Sequence, residues 1–202
     1  MSKIEKILLG VITISGIFAI ILGGIIHTIV PPQGKRAVFK AALHILFLLY
    51  LAFAAVLLFA PSLRILPETW ELTFWEYFRR TTNFVPFKTV RLFVDGNKRG
   101  IISMAVLAAN VAGNVVLFMP LAVFMLYRFK RMRNFRRFAF ASAAIIIAVE
   151  CLQLLFRVGY CDIDDFILNF AGTAAVFVLY KVLSAVKKFL EKALPKAENG
   201  LD

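Results

Sequence analysis

The sequence predicts an all-α membrane protein: a polytopic transmembrane helical bundle of about five spans, with an interfacial amphipathic segment between spans 2 and 3. Two observations carry this prediction. Of the 202 residues, 61% are apolar and 18% are charged, whereas a soluble domain is about 45–50% apolar and about 25% charged. The apolar residues also form long uncharged runs, which favours burial in lipid over burial in a water-excluded core.

The first run, residues 7–30, is long enough to cross the hydrocarbon core at ~1.5 Å per residue. It exceeds the apolar region of a secretory signal peptide, which is about 7–15 residues long, and two prolines end it, so we predict a retained helix. Further spans are predicted at 41–60, 101–127, 138–156 and 166–184. The chain therefore divides into two N-terminal spans (1–60), an extramembrane segment (61–100), a three-helix core (101–184) and a basic tail (185–202) with a composition typical of disorder.

The short loops predict the orientation through the positive-inside rule. Residues 128–137 hold six Lys/Arg and no acid, so this loop is predicted to be cytoplasmic. Residues 157–165 hold one Arg against three Asp, so this loop is predicted to lie outside. Alternation then places the C-terminus in the cytoplasm and segment 61–100 outside, in a multi-pass protein of the cell membrane.

The basic excess, 24 Lys+Arg against 12 Asp+Glu, gives a net charge of +12. Basic residues beside apolar spans contact anionic headgroups and set orientation, so membrane lipids are the predicted partners and nucleic acid is not. The chain has two cysteines, Cys151 and Cys161, and two histidines, His27 and His44, without zinc-site spacing. We therefore predict no metal, no cofactor and no disulfide, and hydrogen-bonded structural roles for both histidines.

Polar side chains in the last three spans are informative, because a centred charge costs about 2.5–3.5 kcal/mol on insertion scales. Asn110 and Asn114 share one face of the third span, since they are four residues apart. With the predicted orientation, the polar residues of these spans come to one level near the outer surface: Asn110, Asn114, Glu150, Gln153, Asp162, Asp164, Asp165 and Asn169. Such a level is typical of a binding site or of a polar bundle interior.

Structural roles remain open for each of these residues. The three aspartates could cap the fifth helix, where carboxylates accept from unpaired N–H groups. The asparagines could form ordinary interhelical hydrogen bonds. Glu150 needs a partner or a wet cavity, and Arg157 is the candidate partner in sequence.

Segment 61–100 contains ETWELTFWEYFRR, residues 68–80, with aromatics, acids and bases at roughly helical spacing. This pattern predicts an interfacial amphipathic helix, and Pro86 interrupts any continuation. The aromatic residues suited to the headgroup boundary are Trp70, Phe74, Trp75 and Phe78. The segment lies over the polar level, either as a lid or as a surface anchor.

Together and in this order, these residues resemble the VanZ-like family of bacterial membrane proteins. The matching stretches are NFVPF (83–87), NVVLFMPLAVF (114–124) and ECLQLLFRVGYCDIDDFILNFAG (150–172). The pattern E-x-x-Q-x-x-x-R, then D-I-D-D, then N-x-x-G is specific in combination and covers about residues 80–180. The resemblance adds Asn83 to the candidate residues, and Ala122 departs from the glycine common in the family.

The resemblance implies a protein of the cell envelope, since the family's namesake is associated with resistance to teicoplanin, a glycopeptide with a lipid tail. The first hypothesis is a non-enzymatic protein that binds an amphiphilic ligand at the outer leaflet, either a lipid-linked peptidoglycan precursor or a lipoglycopeptide. Basic residues could contact phosphate or carboxylate groups of such a ligand: Arg79, Arg80, Lys88 and Arg91.

The alternative is a membrane-embedded enzyme that acts on a lipid or isoprenoid headgroup through Glu150 and Asp162 or Asp165, as a general acid/base pair. The sequence has no Ser/His/Asp set, no H-E-x-x-H and no phosphate-binding glycine loop. This favours the non-enzymatic hypothesis, and no catalytic residue is assigned. A transporter is a third hypothesis, against which the lack of internal repeats argues.

Overall fold

A computed structural model describes residues 35–59 and 71–193, and these ranges are mostly helical. The helices are α1 (Lys35–Phe59), α2 (Phe74–Thr81), α3 (Lys88–Lys98), α4 (Met104–Leu117), α5 (Met119–Arg128), α6 (Phe135–Leu155) and α7 (Ile163–Ala193). A short 3-10 helix, Lys130–Arg133, links α5 to α6. Two-residue strands, β1 (Thr82–Asn83) and β2 (Cys161–Asp162), pair in parallel.

Four helical stretches of the described chain are long and apolar enough to cross a membrane: Ala37–Phe59, Met104–Arg128, Phe135–Leu155 and Ile163–Lys192. They correspond to the second to fifth predicted spans, which confirms an all-α polytopic bundle. The first predicted span, residues 7–30, lies outside the described residues, as do Trp70, His27 and the end of the tail.

The third span is interrupted, which the sequence analysis did not predict. The helix stops at Leu117 and resumes at Met119, with Phe118 at φ −96° and ψ 0° between the two parts. Pro120 follows in the first turn of α5. Because proline has no N–H and clashes with the preceding turn, an α-helix cannot continue unbroken through this position.

The fifth span also differs from its predicted bounds, since α7 begins at Ile163 and not at Phe166. Asp164 and Asp165 therefore lie in the first turn of the helix, whereas they were predicted to precede it. Carboxylates in the first turn of a helix are stabilised by its dipole. With this early start, Asp164 is buried and Asp165 is half-buried among the neighbouring helices.

The helix predicted over residues 68–80 is α2, and it begins only at Phe74 because a capping box fixes its start. The Glu76 N–H donates to Thr73 Oγ1 at 3.3 Å, and the Thr73 N–H donates to Glu76 Oε2 at 2.8 Å. Each side chain thus satisfies a backbone N–H of the other residue, and this arrangement typically begins a helix. Tyr77 and Thr81 face the protein from the buried side of α2.

The helix α7 is the centre of the described bundle, because it packs against α4, α5 and α6, while α1 packs against α5. The crossing with α4 is very close: a Cβ added at Gly172 would lie 1.8 Å from the Val115 carbonyl oxygen. Small residues allow such backbone contact between membrane helices. The buried apolar core lies between α5, α6 and α7: Ala122, Met125, Leu126, Phe138 and Phe177.

The β1–β2 ladder fixes the extramembrane segment to the start of α7. Thr82 pairs with Cys161, and Asn83 pairs with Asp162. Since α2 precedes β1 and α3 follows it, this short ladder holds both helices beside the aspartates. The ladder thereby determines where the candidate site is built.

Candidate functional site

Asp164 caps a helix to which it does not belong. Its carboxylate accepts the backbone N–H groups of Thr89 at 2.8 Å and Val90 at 3.0 Å through Oδ2, and that of Phe87 through Oδ1. These N–H groups belong to the start of α3, where Phe87 supplies no side-chain cap of its own. Asp164 is only 1% exposed, so a buried carboxylate satisfies N–H groups that would otherwise lack partners.

Asp162 has a similar role next to it. Its Oδ1 accepts from Asn83 Nδ2 at 3.0 Å and from the Asp164 N–H at 2.9 Å, while its Oδ2 accepts from the Thr89 hydroxyl. The side chain is buried. With three donors on this carboxylate, its oxygens are occupied by the protein itself.

We call Asn83, Thr89, Asp162 and Asp164 the carboxylate clasp. It joins β1 and α3 to the start of α7, and it holds Phe87 at φ +61°, a left-handed conformation that is costly for a residue other than glycine. The possibility that these aspartates simply cap the fifth helix is therefore only partly correct. Asp162 does accept from the first turn of α7, but Asp164 caps α3.

A second set of polar residues lies further along α7. Asn114 of α4 donates from Nδ2 to Asp165 Oδ1. Asn169, one turn after Asp165, is 3% exposed, and its Oδ1 is buried without a hydrogen-bond partner among the described residues. Most buried polar atoms in proteins are hydrogen-bonded. An acceptor of this kind therefore marks a position at which a donor is expected.

Glu150 of α6 is also buried, and its charge influences the Cys161 thiol. The pKa of the Cys161 thiol is raised to about 11, first by burial and then, in decreasing order, by the charges of Glu150, Cys151, Asp162 and Asp165. Glu150 and Asp165 therefore both act on one thiol, at the end of the bundle where α6 stops and α7 begins. We call Asn114, Glu150, Asp165 and Asn169 the inner polar group.

Two predicted site residues, Gln153 and Arg157, tie α6 and the loop after it to distant parts of the chain. Gln153 donates from Nε2 to the Leu58 carbonyl at 2.9 Å, which ties α6 to α1. Arg157 donates to the Leu72 carbonyl at 2.9 Å and lies 5.6 Å from the centre of the Tyr77 ring. The predicted pairing of Arg157 with Glu150 stays a prediction.

The other predicted residues are placed more simply. Asn110 is half-buried on α4, one turn before Asn114. His44 donates from Nδ1 to the Lys40 carbonyl at 2.6 Å and contacts the Phe124 ring edge-on, which confirms its predicted structural role. Cys151 and Cys161 are both free thiols in this structure.

Sequence reasoning missed Thr89 and Tyr77. Thr89 contributes both its N–H and its hydroxyl to the clasp, and the buried Tyr77 donates from its hydroxyl to the Gly159 carbonyl at 2.6 Å. Pro86 marks a boundary between two helical patterns, so a new helix start shortly after it was foreseeable. Nothing in the sequence predicts that Asp164 caps the helix α3, to which Thr89 belongs.

Across residues 35–59 and 71–193, no three His, Cys, Asp or Glu side chains are grouped so that they could hold a metal ion. The clasp aspartates accept hydrogen bonds with their oxygens instead. The absence of a metal or cofactor from the protein's activity stays a prediction.

The four long apolar helices define a polytopic helical membrane protein, and it carries buried polar residues at one end of the bundle. Residues 47–184 match the family model described as VanZ/LLP1, and the chain belongs to this family. The match begins inside α1, so it includes most of a span to which the quoted motifs did not extend. Comparison with curated proteins gave no match, and comparison with solved structures gave none.

Proposed function

We propose that this VanZ-like membrane protein binds an amphiphilic ligand at the outer leaflet of the cell membrane and is not an enzyme. The ligand is a lipid-linked peptidoglycan precursor or a lipoglycopeptide, and binding of the latter would contribute to resistance to glycopeptides such as teicoplanin. The observation that carries the proposal is the buried Asn169 Oδ1, one turn after Asp165, which has no hydrogen-bond partner in the described part of the chain. A hydroxyl or amide N–H of a ligand headgroup would supply the donor that this oxygen lacks.

The division between clasp and inner polar group supports the proposal. The clasp carboxylates hold three hydrogen bonds each within the protein and have little capacity for a ligand. Asp165 and Asn114 are half-buried and lie between α4 and α7. A polar headgroup would reach them while an acyl or isoprenoid tail stays in lipid beside the bundle.

The test is binding of a labelled lipid-linked peptidoglycan precursor, and separately of labelled teicoplanin, to the purified protein. We expect Asn169→Leu and Asp165→Asn to weaken binding of one of the two probes at least tenfold, because each removes hydrogen-bond capacity from a buried site. Ser142→Ala is the matched control. Its hydroxyl is likewise buried without a partner among the described residues, but it lies about 12 Å along α6 from Glu150.

Equal binding of either probe to all of these proteins, with unchanged thermal stability, would contradict the proposal. Loss of binding only in Asp162→Asn or Asp164→Asn, accompanied by unfolding, would assign the effect to the clasp. Glycopeptide susceptibility of cells that carry Asn169→Leu then tests whether binding matters for resistance.

An enzyme that acts on a lipid or isoprenoid headgroup is the second candidate. Asp162 is poorly suited to be its general base, because three donors already occupy the carboxylate. Such a mechanism would therefore depend on Glu150 and Asp165. Turnover of the labelled precursor by the wild-type protein, lost in Glu150→Gln, would support this candidate over simple binding.

A further inference from the structure

The extramembrane segment carries a connected row of aromatic rings. The ring centres of Phe74 and Trp75 are 5.7 Å apart, those of Trp75 and Phe78 are 6.0 Å apart, and those of Phe78 and Phe84 are 6.4 Å apart. We call these four residues the aromatic ribbon. It joins α2 to the loop that follows β1, and it is far from buried: Trp75 is 65% exposed and Phe84 is 67% exposed.

The loop after Asn83 continues this surface as an apolar tip, residues 84–87. Phe84, Val85 and Phe87 are exposed, and Pro86 lies between them. The tip is nevertheless held firmly, because Asn83 Oδ1 accepts the Val85 N–H at 3.1 Å and Asp164 accepts the Phe87 N–H. The clasp thus holds exposed apolar side chains in a fixed position. Contact of such a patch with water is unfavourable, so the patch indicates an interaction surface.

Basic side chains lie on both sides of the tip. Arg79 and Arg80 are in the last turn of α2, and Lys88 and Arg91 are in the first turn of α3; all four are exposed. Residues 74–92 hold four bases and one acid, Glu76. The Thr73 N–H and hydroxyl hold the pKa of Glu76 below its ordinary value, so its carboxylate stays engaged with the capping box.

We propose that residues 74–92 bind anionic phospholipid. The aromatic ribbon and the apolar tip enter the headgroup boundary, and Arg79, Arg80, Lys88 and Arg91 contact lipid phosphates. Amphipathic aromatic segments of this kind lie in the plane of the interface, and basic side chains favour anionic lipid within a Debye length. The carboxylate clasp gives the inserted loop its fixed position. This surface is distinct from the inner polar group, and its role does not depend on the proposed ligand.

The experiment measures which lipid lies next to Trp75. The chain has two tryptophans, so Trp70→Phe leaves Trp75 as the single emitter. This protein is reconstituted into phosphatidylcholine vesicles with brominated phosphatidylglycerol, or into phosphatidylglycerol vesicles with brominated phosphatidylcholine, at the same mole fraction of quencher. Bromine near the headgroup end of the acyl chain is compared with bromine near its terminal methyl.

We expect Trp75 to be quenched more strongly by the shallow bromine, and more strongly by brominated phosphatidylglycerol than by brominated phosphatidylcholine. Raising the salt from 0.1 M to 1 M should abolish the second preference, because the Debye length falls from about 10 Å to about 3 Å. Replacing the four basic residues by Gln should also abolish the preference for phosphatidylglycerol. Each charge removed should weaken the association of this segment with anionic lipid about fivefold.

The control replaces four basic residues at the other end of the bundle by Gln: Lys130, Arg131, Arg136 and Arg137. This protein should keep the preference of Trp75 for phosphatidylglycerol. Equal quenching by the two lipids would overturn the anionic preference, and no quenching by either would show that protein or water covers the ribbon. The salt series needs no basic substitution, so the proposal stays testable even where the quadruple variant does not fold.

Discussion

Asp164 stabilises the first turn of α3 although it belongs to α7, so its substitution tests the clasp at the level of a single residue. In the wild-type protein, Asp164 Oδ2 accepts the N–H groups of Thr89 and Val90. In Asp164→Asn, an NH₂ group replaces one carboxylate oxygen, and a donor cannot accept these N–H groups. We expect the free energy of unfolding to fall by about 1–3 kcal/mol, as for buried donors that lose their acceptor. Thermal unfolding in detergent measures the loss.

Hydrogen exchange locates this effect. The amides of Thr89 and Val90 should exchange faster in Asp164→Asn, while those in the middle of α6 should change little. Asp165→Asn is the neighbouring control, because Asp165 accepts a hydrogen bond from Asn114 of α4. Unchanged protection at residues 89 and 90 would show that α3 does not need this cap.

Cys161 gives a pH-dependent prediction. Burial, assisted by the Glu150 charge, raises the pKa of its thiol from 9.0 to about 11. At pH 9 about 1% of this thiol is ionised, whereas a thiol with the ordinary pKa is about half ionised. In a Cys151→Ser protein, the rate of reaction with a small thiol reagent should therefore be low at pH 7–9 and climb toward pH 11.

The sign for stability follows from the same shift. Because the folded protein holds the proton more tightly, the stabilisation is fully present below pH 9 and is lost as the pH rises toward 11. Glu150→Gln should lower the pKa of Cys161 and increase the reaction rate at pH 9. If Glu150→Gln left the rate of thiol modification at pH 9 unchanged, the Glu150 charge would not act on the Cys161 thiol.

At the scale of helices, the α4–α7 crossing depends on Gly172. An alanine Cβ there would lie 1.8 Å from the Val115 carbonyl oxygen, and backbone atoms of α4 cannot rotate away as a side chain could. We expect Gly172→Ala to lower the free energy of unfolding by about 1–3 kcal/mol or more, as overpacking does. The melting temperature of the purified protein measures it.

Gly113 on α4 is the matched control, since a Cβ added there meets nothing within 4 Å. Gly113→Ala should be neutral or stabilising by up to about 1 kcal/mol, because alanine is the better helix former. If Gly172→Ala and Gly113→Ala changed the free energy of unfolding equally, α4 and α7 could move apart with little loss of stability.

The helices show what the sequence could and could not predict. Uncharged runs located four of the spans, because lipid burial depends on composition and length alone. The break at Phe118 was missed although Pro120 could be read from the sequence, because the whole run is apolar. The early start of α7 was missed because helical hydrogen bonding in an acidic stretch leaves no signal in hydropathy. The capping box at Thr73 and Glu76 was readable as T-x-x-E, yet the longer aromatic pattern masked it.

Across the whole molecule, sequence reasoning grouped the polar residues at one end of the bundle but could not divide them into two sets. Helical spacing places Asn110 with Asn114 and Asp165 with Asn169. It cannot reveal that Asp162 and Asp164 turn toward β1 and α3, because that contact joins segments more than seventy residues apart. Such pairings depend on the tertiary fold and leave no local periodic signal.

Orientation is the prediction that governs the proposed function, since an outer-leaflet ligand reaches the inner polar group only if that end of the bundle faces outward. The short basic loop 128–137 predicts that Lys130 is cytoplasmic and that Lys98, at the end of α3, is outside. Both residues are exposed and both are basic, so their substitution by cysteine is matched in burial and in charge. In a background with Cys151→Ser and Cys161→Ser, Lys98→Cys should react with a membrane-impermeant maleimide on intact cells. Lys130→Cys should react only after the membrane is permeabilised. The reverse pattern would turn the inner polar group toward the cytoplasm and exclude an outer-leaflet ligand, while leaving the clasp and the helix packing unchanged.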